Sequence, residues 1–177
     1  MHASFRKIFD EIETQRHALL ESLATFSDEQ LNKIPCPGRW SIAHILSHLI
    51  TGERMSLLYV RKKMQAVKEV RDTGLWEEVK MVILKISQRL PGLKFKAPRK
   101  VVESTTLYHD LPAITREWEN VRVEFKALLE KIPDEYLNRK IYRHPRAGYL
   151  NVKQGLIFFR EHVIHHTPQI KRLAKQK

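Results

Sequence analysis

The sequence has a single cysteine, few glycines and prolines, and no long apolar run. The chain of 177 residues has one cysteine, Cys36, which excludes an intramolecular disulfide framework and fits a reducing compartment. No apolar run approaches the roughly 20 residues of a membrane span, and residues 1–16 lack the apolar region of a signal peptide. Six glycines and eight prolines leave room for long regular elements. We therefore expect a cytoplasmic protein with no membrane segment.

Acidic residues are also scarce relative to basic ones. The chain has 32 Lys and Arg against 20 Asp and Glu, a formal net charge of +12. That balance is compatible with an anionic ligand or with nucleic acid. The basic residues are dispersed, however, and no aromatic-interleaved stripe or nucleic-acid motif accompanies them. We therefore expect a solvated basic surface and a small-molecule substrate rather than specific nucleic-acid binding.

Apolar residues recur at helical spacings through most of the chain, and no segment shows a convincing strand pattern. Four long stripes and short connections are typical of a helical bundle. The sequence predicts an all-α fold, an antiparallel four-helix bundle formed as one domain over residues 1–177. The predicted long helices are 5–26, 41–71, 110–131 and 151–172, with one extra short helix at 76–89 and loops at 93–109 and 141–150.

Capping residues predict where three of these helices begin. Ser41 is a good N-cap, and Asp110 precedes a proline in the first turn of its helix. Asn151 and Gln154 form a variant of the capping box.

Two histidines lie on or beside the apolar face of the last helix. At about 100° per residue, His166 is roughly 20° and His162 roughly 60° from the centre of that face, whereas His165 is roughly 120° away and is expected to face solvent. Imidazoles four residues apart project side by side, so both can reach one metal ion. Two hydrogen-bonded core histidines explain the same pattern, and this helix alone leaves both interpretations open.

The second helix carries another pair at four-residue spacing, His44 and His48. Both lie toward the flank of the strongest apolar stripe, so periodicity does not choose between them. A polar surface residue is the plain alternative for each.

Three motifs together resemble the DinB/YfiT-like superfamily of metal-dependent proteins. The first is PGRWSIAHILSHL, at the start of the second helix, and the second is HPRAGYLNVKQGLIFF, before and into the last helix. The third is HVIHHTPQI, near the C-terminus. With the helix order, the similarity covers nearly the whole chain.

The resemblance implies a divalent metal, zinc or nickel, held by His48, His162 and His166. It is the family motif that selects His48, eight residues after Trp40, over His44. Several family members are transferases or isomerases that use a low-molecular-weight thiol, and members are often homodimers. A small thiol cofactor and a homodimer are therefore expected here.

The chemistry of three histidines is consistent with that expectation. Three neutral imidazoles plus an open position are the catalytic pattern of zinc sites, and an open position can lower the pKa of water or hold a thiolate. The motif is not HExxH, because Val163 follows His162, which argues against proteolysis. The sequence favours thiol S-transferase, isomerase-like or hydrolase-like chemistry on a small anionic substrate. The alternative is a non-catalytic metal-binding or interaction module with a basic surface.

Two arginines precede the last helix, in a loop that leads directly to its histidines. Arg143 and Arg146 are candidates for binding a substrate carboxylate, which the guanidinium fork matches in a bidentate manner. The basic segment 94–100 is a further candidate to approach the entrance of the same predicted metal site. The alternative is that both arginines are solvated loop residues.

Overall fold

The computed structural model describes residues 1–90 and 97–176, and α-helix dominates it. Two short 3-10 turns, Val67–Glu69 and Asp134–Tyr136, and one small hairpin complete it. The helices in these ranges are α1 Ala3–Glu21, α2 Asp28–Asn32, α3 Ile42–Met64, α4 Leu75–Arg89, α5 Arg99–Glu103, α6 Leu111–Glu130 and α7 Val152–Ala174. The strands are β1 Tyr142–His144 and β2 Gly148–Leu150.

The four long helices α1, α3, α6 and α7 form the predicted all-α bundle. α1 packs on α7, and α3 packs on both α6 and α7. The extra helix predicted at 76–89 is α4, which lies against the outside of α7. None of the helices in the described ranges combines the length and hydropathy needed to cross a membrane.

The bundle buries two apolar clusters, and on α1, α3 and α6 a buried charged residue lies between them. One cluster includes Phe5, Ile12, Leu57, Phe125, Leu156 and Phe159. The other includes Leu19, Leu46, Trp118, Val163 and Ile170. Between the two sets lie Arg16 on α1, Glu53 on α3 and Arg122 on α6, none of them more than 3% exposed. We call these three, with Glu13, the polar layer.

Capping residues determine where the two helices that carry the histidines begin. The Ser41 hydroxyl accepts from the His44 amide at 3.1 Å, which starts α3 as predicted. Asn151 and Gln154 exchange hydrogen bonds of 2.9 and 3.0 Å, the reciprocal capping box predicted for α7. The register of the histidines on each helix follows from these starts.

Two predicted helix ends are wrong. The first helix ends at Glu21 rather than at residue 26, because the chain changes to 3-10 turns and the Ser22 hydroxyl bonds the Leu19 carbonyl at 2.6 Å. The second ends at Met64 rather than at residue 71, where the amides of the next two residues bond three positions back.

Both predicted loops contain regular structure, which corrects the expectation that they lack it. Within 93–109 lies α5, which begins after Pro98. Residues 91–96, which include part of the basic segment 94–100, lie outside the described residues. Within 141–150 lies the antiparallel hairpin β1–β2. Strands of three residues are too short to show an alternating pattern in sequence.

The hairpin lies directly on the start of α7. A Cβ at Gly155 would come within 2.9 Å of the buried Tyr142 ring, so the absence of a side chain there permits this contact. The tight packing fixes β1, and with it the side chains of Arg143 and His144, relative to the histidines of α7.

Candidate metal centre

The structure brings together the three histidines singled out as metal ligands. His48 comes from α3, and His162 and His166 lie one turn apart on α7. Nε2 of His162 is 3.3 Å from Nε2 of His48 and 3.1 Å from Nε2 of His166. Ligand nitrogens of all three lie within 4.8 Å of one another. We call this cluster the histidine triad.

The spacing of these nitrogens suits a metal ion. Ligands about 2.0–2.1 Å from a tetrahedral ion are themselves about 3.3 Å apart. Nδ1 of His166 is 3.1 Å from Oε1 of Gln169, and because an amide oxygen only accepts, Nδ1 carries the proton. Nε2 of His166 therefore presents a lone pair to the cluster, with its tautomer set by a supporting hydrogen bond, as is usual for metal ligands.

Hydrogen bonds among the residues that the structure describes do not satisfy the triad. A proton on Nε2 of His162 can serve only one of the two Nε2 atoms beside it. Nδ1 of His48 is buried and has no hydrogen-bond partner among the described residues. Buried polar atoms are ordinarily paired. The residues therefore fit a bound cation better than they fit a pair of hydrogen-bonded core histidines.

Burial keeps the triad neutral near pH 7. Desolvation, followed by the charges of His44 and His165, lowers the pKa of His48 to about 4. Desolvation and the charge of His48 lower the pKa of His166 to about 3, against a smaller opposing effect of Gln169. Burial and the other histidines hold the pKa of His162 well below its usual value. Neutral imidazole is the form that binds a metal.

The other two candidate histidines lie outside the triad. His44 stacks on Trp40, with ring centroids 4.7 Å apart and planes 11° apart. The prediction that His165 faces solvent is wrong: its Nδ1 lies 3.0 Å from the Gln88 carbonyl oxygen. That face of α7 is covered by α4, a contact that the angular position on a single helix cannot reveal.

A cavity of about 380 Å³ opens beside the triad. Its walls are largely apolar, with Met55, Leu84 and Phe158 among the lining side chains. Arg143 and Arg146, the arginines singled out in the sequence, line the same cavity, and so does Lys100. The structure thus places both arginines and the triad around one space.

Some residues of the site were not anticipated from the sequence. Phe158 stacks on His162 with centroids 5.0 Å apart, a contact that their four-residue spacing could have indicated. Glu161, only 1% exposed, accepts from Arg89 at 2.5 and 2.9 Å. This ion pair joins α4 to α7 at the edge of the site, and the sequence carries no local signal for it.

His144 closes the hairpin turn and provides a pH-dependent prediction. Its Nδ1 accepts from the Arg146 and Ala147 amides at 3.2 and 3.0 Å. Burial, then the Arg146 charge, lowers its pKa to about 4 from an ordinary 6.5. Between these values the unfolded chain binds more protons, so the contribution of His144 to stability is present above pH 6.5 and is lost as pH falls toward 4. An NMR titration should give a midpoint near 4 for the His144 ring.

The control for that titration is the same measurement in Arg146→Gln. Removing the positive charge should raise the His144 midpoint, although burial keeps it below 6.5. A wild-type midpoint at the ordinary value for histidine would contradict the closed turn.

Comparison with known proteins places the chain in a family. A model of the DinB superfamily matches residues 11–170. The chain belongs to the DinB superfamily. A DinB-superfamily assignment agrees with the resemblance of the three sequence motifs and with the bundle described above.

Two Bacillus subtilis proteins are similar to this DinB-superfamily chain. One, from strain 168, is named uncharacterized protein YuaE; it is 28% identical over 176 residues, which span 96% of each chain. The other is a solved structure, YfiT, described as a probable metal-dependent hydrolase with an unusual four-helix bundle topology. It superposes with a TM-score of 0.57 at 15% identity, covering 97% of this chain and 86% of YfiT. That similarity confirms the DinB-type bundle fold.

Proposed function

We propose that this protein is a divalent-metal-dependent enzyme whose ion is held by His48, His162 and His166. The observation that carries the proposal is the convergence of three neutral, mostly buried imidazoles, 3.1 and 3.3 Å apart, at the wall of an apolar cavity. Three protein ligands leave a coordination position for a reactant. Zinc or nickel bound there would supply Lewis-acid activation of a water or thiol nucleophile.

The charged residues around the site favour thiol transfer over chemistry that needs a carboxylate base. No Asp or Glu lines the cavity among the described residues. Glu161, beside His162 in sequence, is paired with Arg89, and Glu53 is paired with Arg122. A thiol can be activated by the metal alone. We therefore propose thiol S-transferase or isomerase chemistry first, with hydrolysis second, as in the description of YfiT.

The substrate we propose is a small anion, with a low-molecular-weight thiol as the reactant or cofactor. Arg143, Arg146 and Lys100 supply positive charge to the cavity, while Met55 and Leu84 suit an apolar portion of the substrate. Arg143 also lies over the Tyr149 ring at 5.6 Å, a contact that helps hold its guanidinium at the cavity. A cytoplasmic location belongs to the same proposal, because the exposed Cys36 fits a reducing compartment.

The test is a thiol-consumption screen on protein purified without an affinity tag, with several thiols and electrophiles. Adding zinc or nickel should stimulate consumption by wild-type protein and by His44→Ala but not by His48→Ala. Ester and amide hydrolysis should be assayed in parallel. Metal binding without turnover of any substrate would instead support the alternative of a non-catalytic metal-binding or interaction module.

Replacing Arg146 by alanine should raise KM for an anionic substrate about tenfold and change kcat little. A charge-assisted hydrogen bond contributes about 1.5–3 kcal/mol, and an effect confined to KM marks binding that the ground state and the transition state share. The effect should shrink as salt screens the attraction. Arg143→Ala should act in the same direction.

Arg116→Ala is the matched control, because it removes an exposed arginine of α6 that does not line the cavity. An unchanged KM at low salt in both Arg143→Ala and Arg146→Ala would refute anion binding by this pair.

A further inference from the structure

One nitrogen of the His144 imidazole is used by the hairpin turn, and the other is not. Nδ1 accepts hydrogen bonds from the Arg146 and Ala147 amides at 3.2 and 3.0 Å. A nitrogen that accepts from N–H groups carries no proton itself. Burial keeps the ring neutral at pH 7 by lowering its pKa to about 4. The single ring proton of neutral His144 is therefore on Nε2.

The Nε2 side of this ring is open to the cavity beside the triad. Nε2 has no hydrogen-bond partner among the described residues, and it is not one of the partnerless side-chain atoms that are fully buried. The whole residue is only 5% exposed, and it lines the cavity. Because the Nδ1 side of the ring faces the turn, the cavity is the space that reaches Nε2. The wall of the cavity therefore holds a hydrogen-bond donor that no protein group satisfies.

This donor is held in place and lies close to the triad. The rings of His144 and Phe158 meet edge to face with centroids 4.4 Å apart, and Phe158 in turn stacks on His162 at 5.0 Å. The tight contact of Tyr142 with Gly155 fixes the hairpin that carries His144. A donor fixed in advance needs no reorganisation when a substrate arrives, which is the condition for electrostatic stabilisation of a reacting oxygen.

The cavity thus offers two different kinds of hydrogen-bond donor. Arg143 and Arg146 line it and carry positive charge, which suits a carboxylate. The N–H of a neutral imidazole carries no charge. It suits an oxygen that is uncharged in the bound substrate and gains negative charge only in the transition state, as a carbonyl oxygen does. A small molecule with both a carboxylate and a carbonyl group would use both kinds of donor.

We propose that Nε2–H of His144 donates a hydrogen bond to a carbonyl oxygen of the substrate, which makes the substrate a small anion that contains a carbonyl group. The catalytic part of this inference rests on the function proposed above, whereas the hydrogen bond itself requires no metal. When a deprotonated nucleophile forms a bond to the carbonyl carbon, the C=O π bond breaks and its electron pair moves to the oxygen. The His144 proton stays on Nε2, and its hydrogen bond to the now negative oxygen becomes stronger.

Binding of 4-oxopentanoate and of pentanoate to metal-free full-length protein tests the hydrogen bond without any turnover. The two probes share a carboxylate and a carbon chain, and only 4-oxopentanoate has a ketone oxygen. Nitrogen NMR should show the His144 proton on Nε2. Saturating 4-oxopentanoate should shift that signal, whereas pentanoate should not. Wild-type protein should bind 4-oxopentanoate about two- to tenfold more tightly than pentanoate, the range expected for one net hydrogen bond.

Two substitutions of His144 separate the cavity donor from the turn acceptor. An asparagine side chain ends at the level of Nδ1, so His144→Asn keeps an acceptor for the turn amides and loses the donor at Nε2. A glutamine side chain reaches the level of Nε2, so His144→Gln keeps a donor at the cavity and loses the turn acceptor. The preference for the ketone probe should disappear in His144→Asn and persist in His144→Gln, although His144→Gln should have the lower Tm. A residue that only closed the turn would give the opposite order of probe binding.

Turnover of a carbonyl substrate by the metal-loaded enzyme provides the second measurement. His144→Asn should lower kcat about 100- to 1,000-fold, the effect of removing one donor to a developing oxyanion, and should change KM much less. His109→Asn is the matched control and should keep the wild-type kcat, because His109 is exposed and does not line the cavity.

Three outcomes would overturn the proposal. These are a His144 proton on Nδ1, an Nε2 signal that 4-oxopentanoate leaves unshifted, and a ketone preference that persists in His144→Asn. Absence of turnover with every substrate, combined with the expected binding of both probes, would instead count against the proposed enzyme function and leave the Nε2 donor established.

Discussion

Replacing Arg122 by methionine should destabilise the folded protein by about 3–5 kcal/mol, the cost of leaving one partner of a buried ion pair without the other. Arg122 is 2% exposed and donates to both carboxylate oxygens of Glu53, at 2.6 and 2.7 Å. It also donates to Glu13 at 2.8 Å. Without it, the Trp118 indole N–H, at 3.1 Å, would be the only hydrogen-bond donor left to the buried Glu53 carboxylate among the described residues.

Arg122 remains protonated in the folded protein. Burial by itself lowers the pKa of this guanidinium, but Glu53 and Glu13 together outweigh burial and raise it. The destabilisation in Arg122→Met therefore comes from the carboxylates of Glu53 and Glu13 that lose their partner. It does not come from a change in protonation of the wild-type arginine.

Urea unfolding followed by circular dichroism measures the loss of unfolding free energy. In a thermal scan the same loss should appear as a fall in Tm of about 6–20 °C for a chain of this size. The double variant Glu53→Met with Arg122→Met should recover much of the loss, because no unpaired charge remains. Arg61→Met is the surface control: its pair with Glu124 is about half exposed, so about 0–1 kcal/mol is expected. A double variant less stable than Arg122→Met would contradict this account.

The polar layer also bears on the site. Glu53 lies on α3 five residues beyond His48, and its partner Arg122 comes from α6 and also donates to Glu13 of α1. The layer therefore fixes the rotation and height of α3 in the bundle, on which the approach of His48 to α7 depends. Buried charge that specifies one packing arrangement among several is a recognised use of such networks.

Local signals made the bundle and the helix starts predictable. Ser41 and Asn151 cap helices through contacts with residues three positions away, so a short stretch of sequence contains both partners. The hairpin was not predictable in this way, since its turn is closed by the imidazole of His144 and its position depends on the contact of Tyr142 with Gly155. Neither interaction has a recognisable pattern in the sequence.

The partners of the charged and histidine residues were the least predictable part. Arg122 and Glu53 lie 69 positions apart and, read alone, resemble ordinary surface charges. His44 and His48 share a helix flank, and only the approach of α7 distinguishes them: His48 meets His162 while His44 stacks on Trp40. The family motif pointed to His48 because the motif reflects the contact between the two helices. Periodicity within one helix carries no information about that contact.

Loss of His162 should lower zinc or nickel affinity by more than the 10–100-fold typical of changes to residues that only support a ligand. Nε2 of His162 is the one nitrogen close to both of the others, so its removal leaves His48 and His166 without a shared neighbour. In wild-type protein, metal at about 1,000 times its dissociation constant should stabilise the fold by about 4 kcal/mol, or about 8–16 °C in Tm. His162→Ala should show almost none of this increase.

The controls for that experiment remove an imidazole close to the triad without removing a triad nitrogen. His44→Ala and His165→Ala should keep stoichiometric metal and the full thermal shift, because His44 stacks on Trp40 and His165 bonds the Gln88 carbonyl. His48→Ala should behave like His162→Ala. Equal losses of metal affinity in His44→Ala and His48→Ala would mean that the assignment of His48 as the α3 ligand is wrong by one helical turn. Metal retained in His48→Ala, His162→Ala and His166→Ala alike would mean that the ion binds elsewhere, leaving the close nitrogens of the triad without a function.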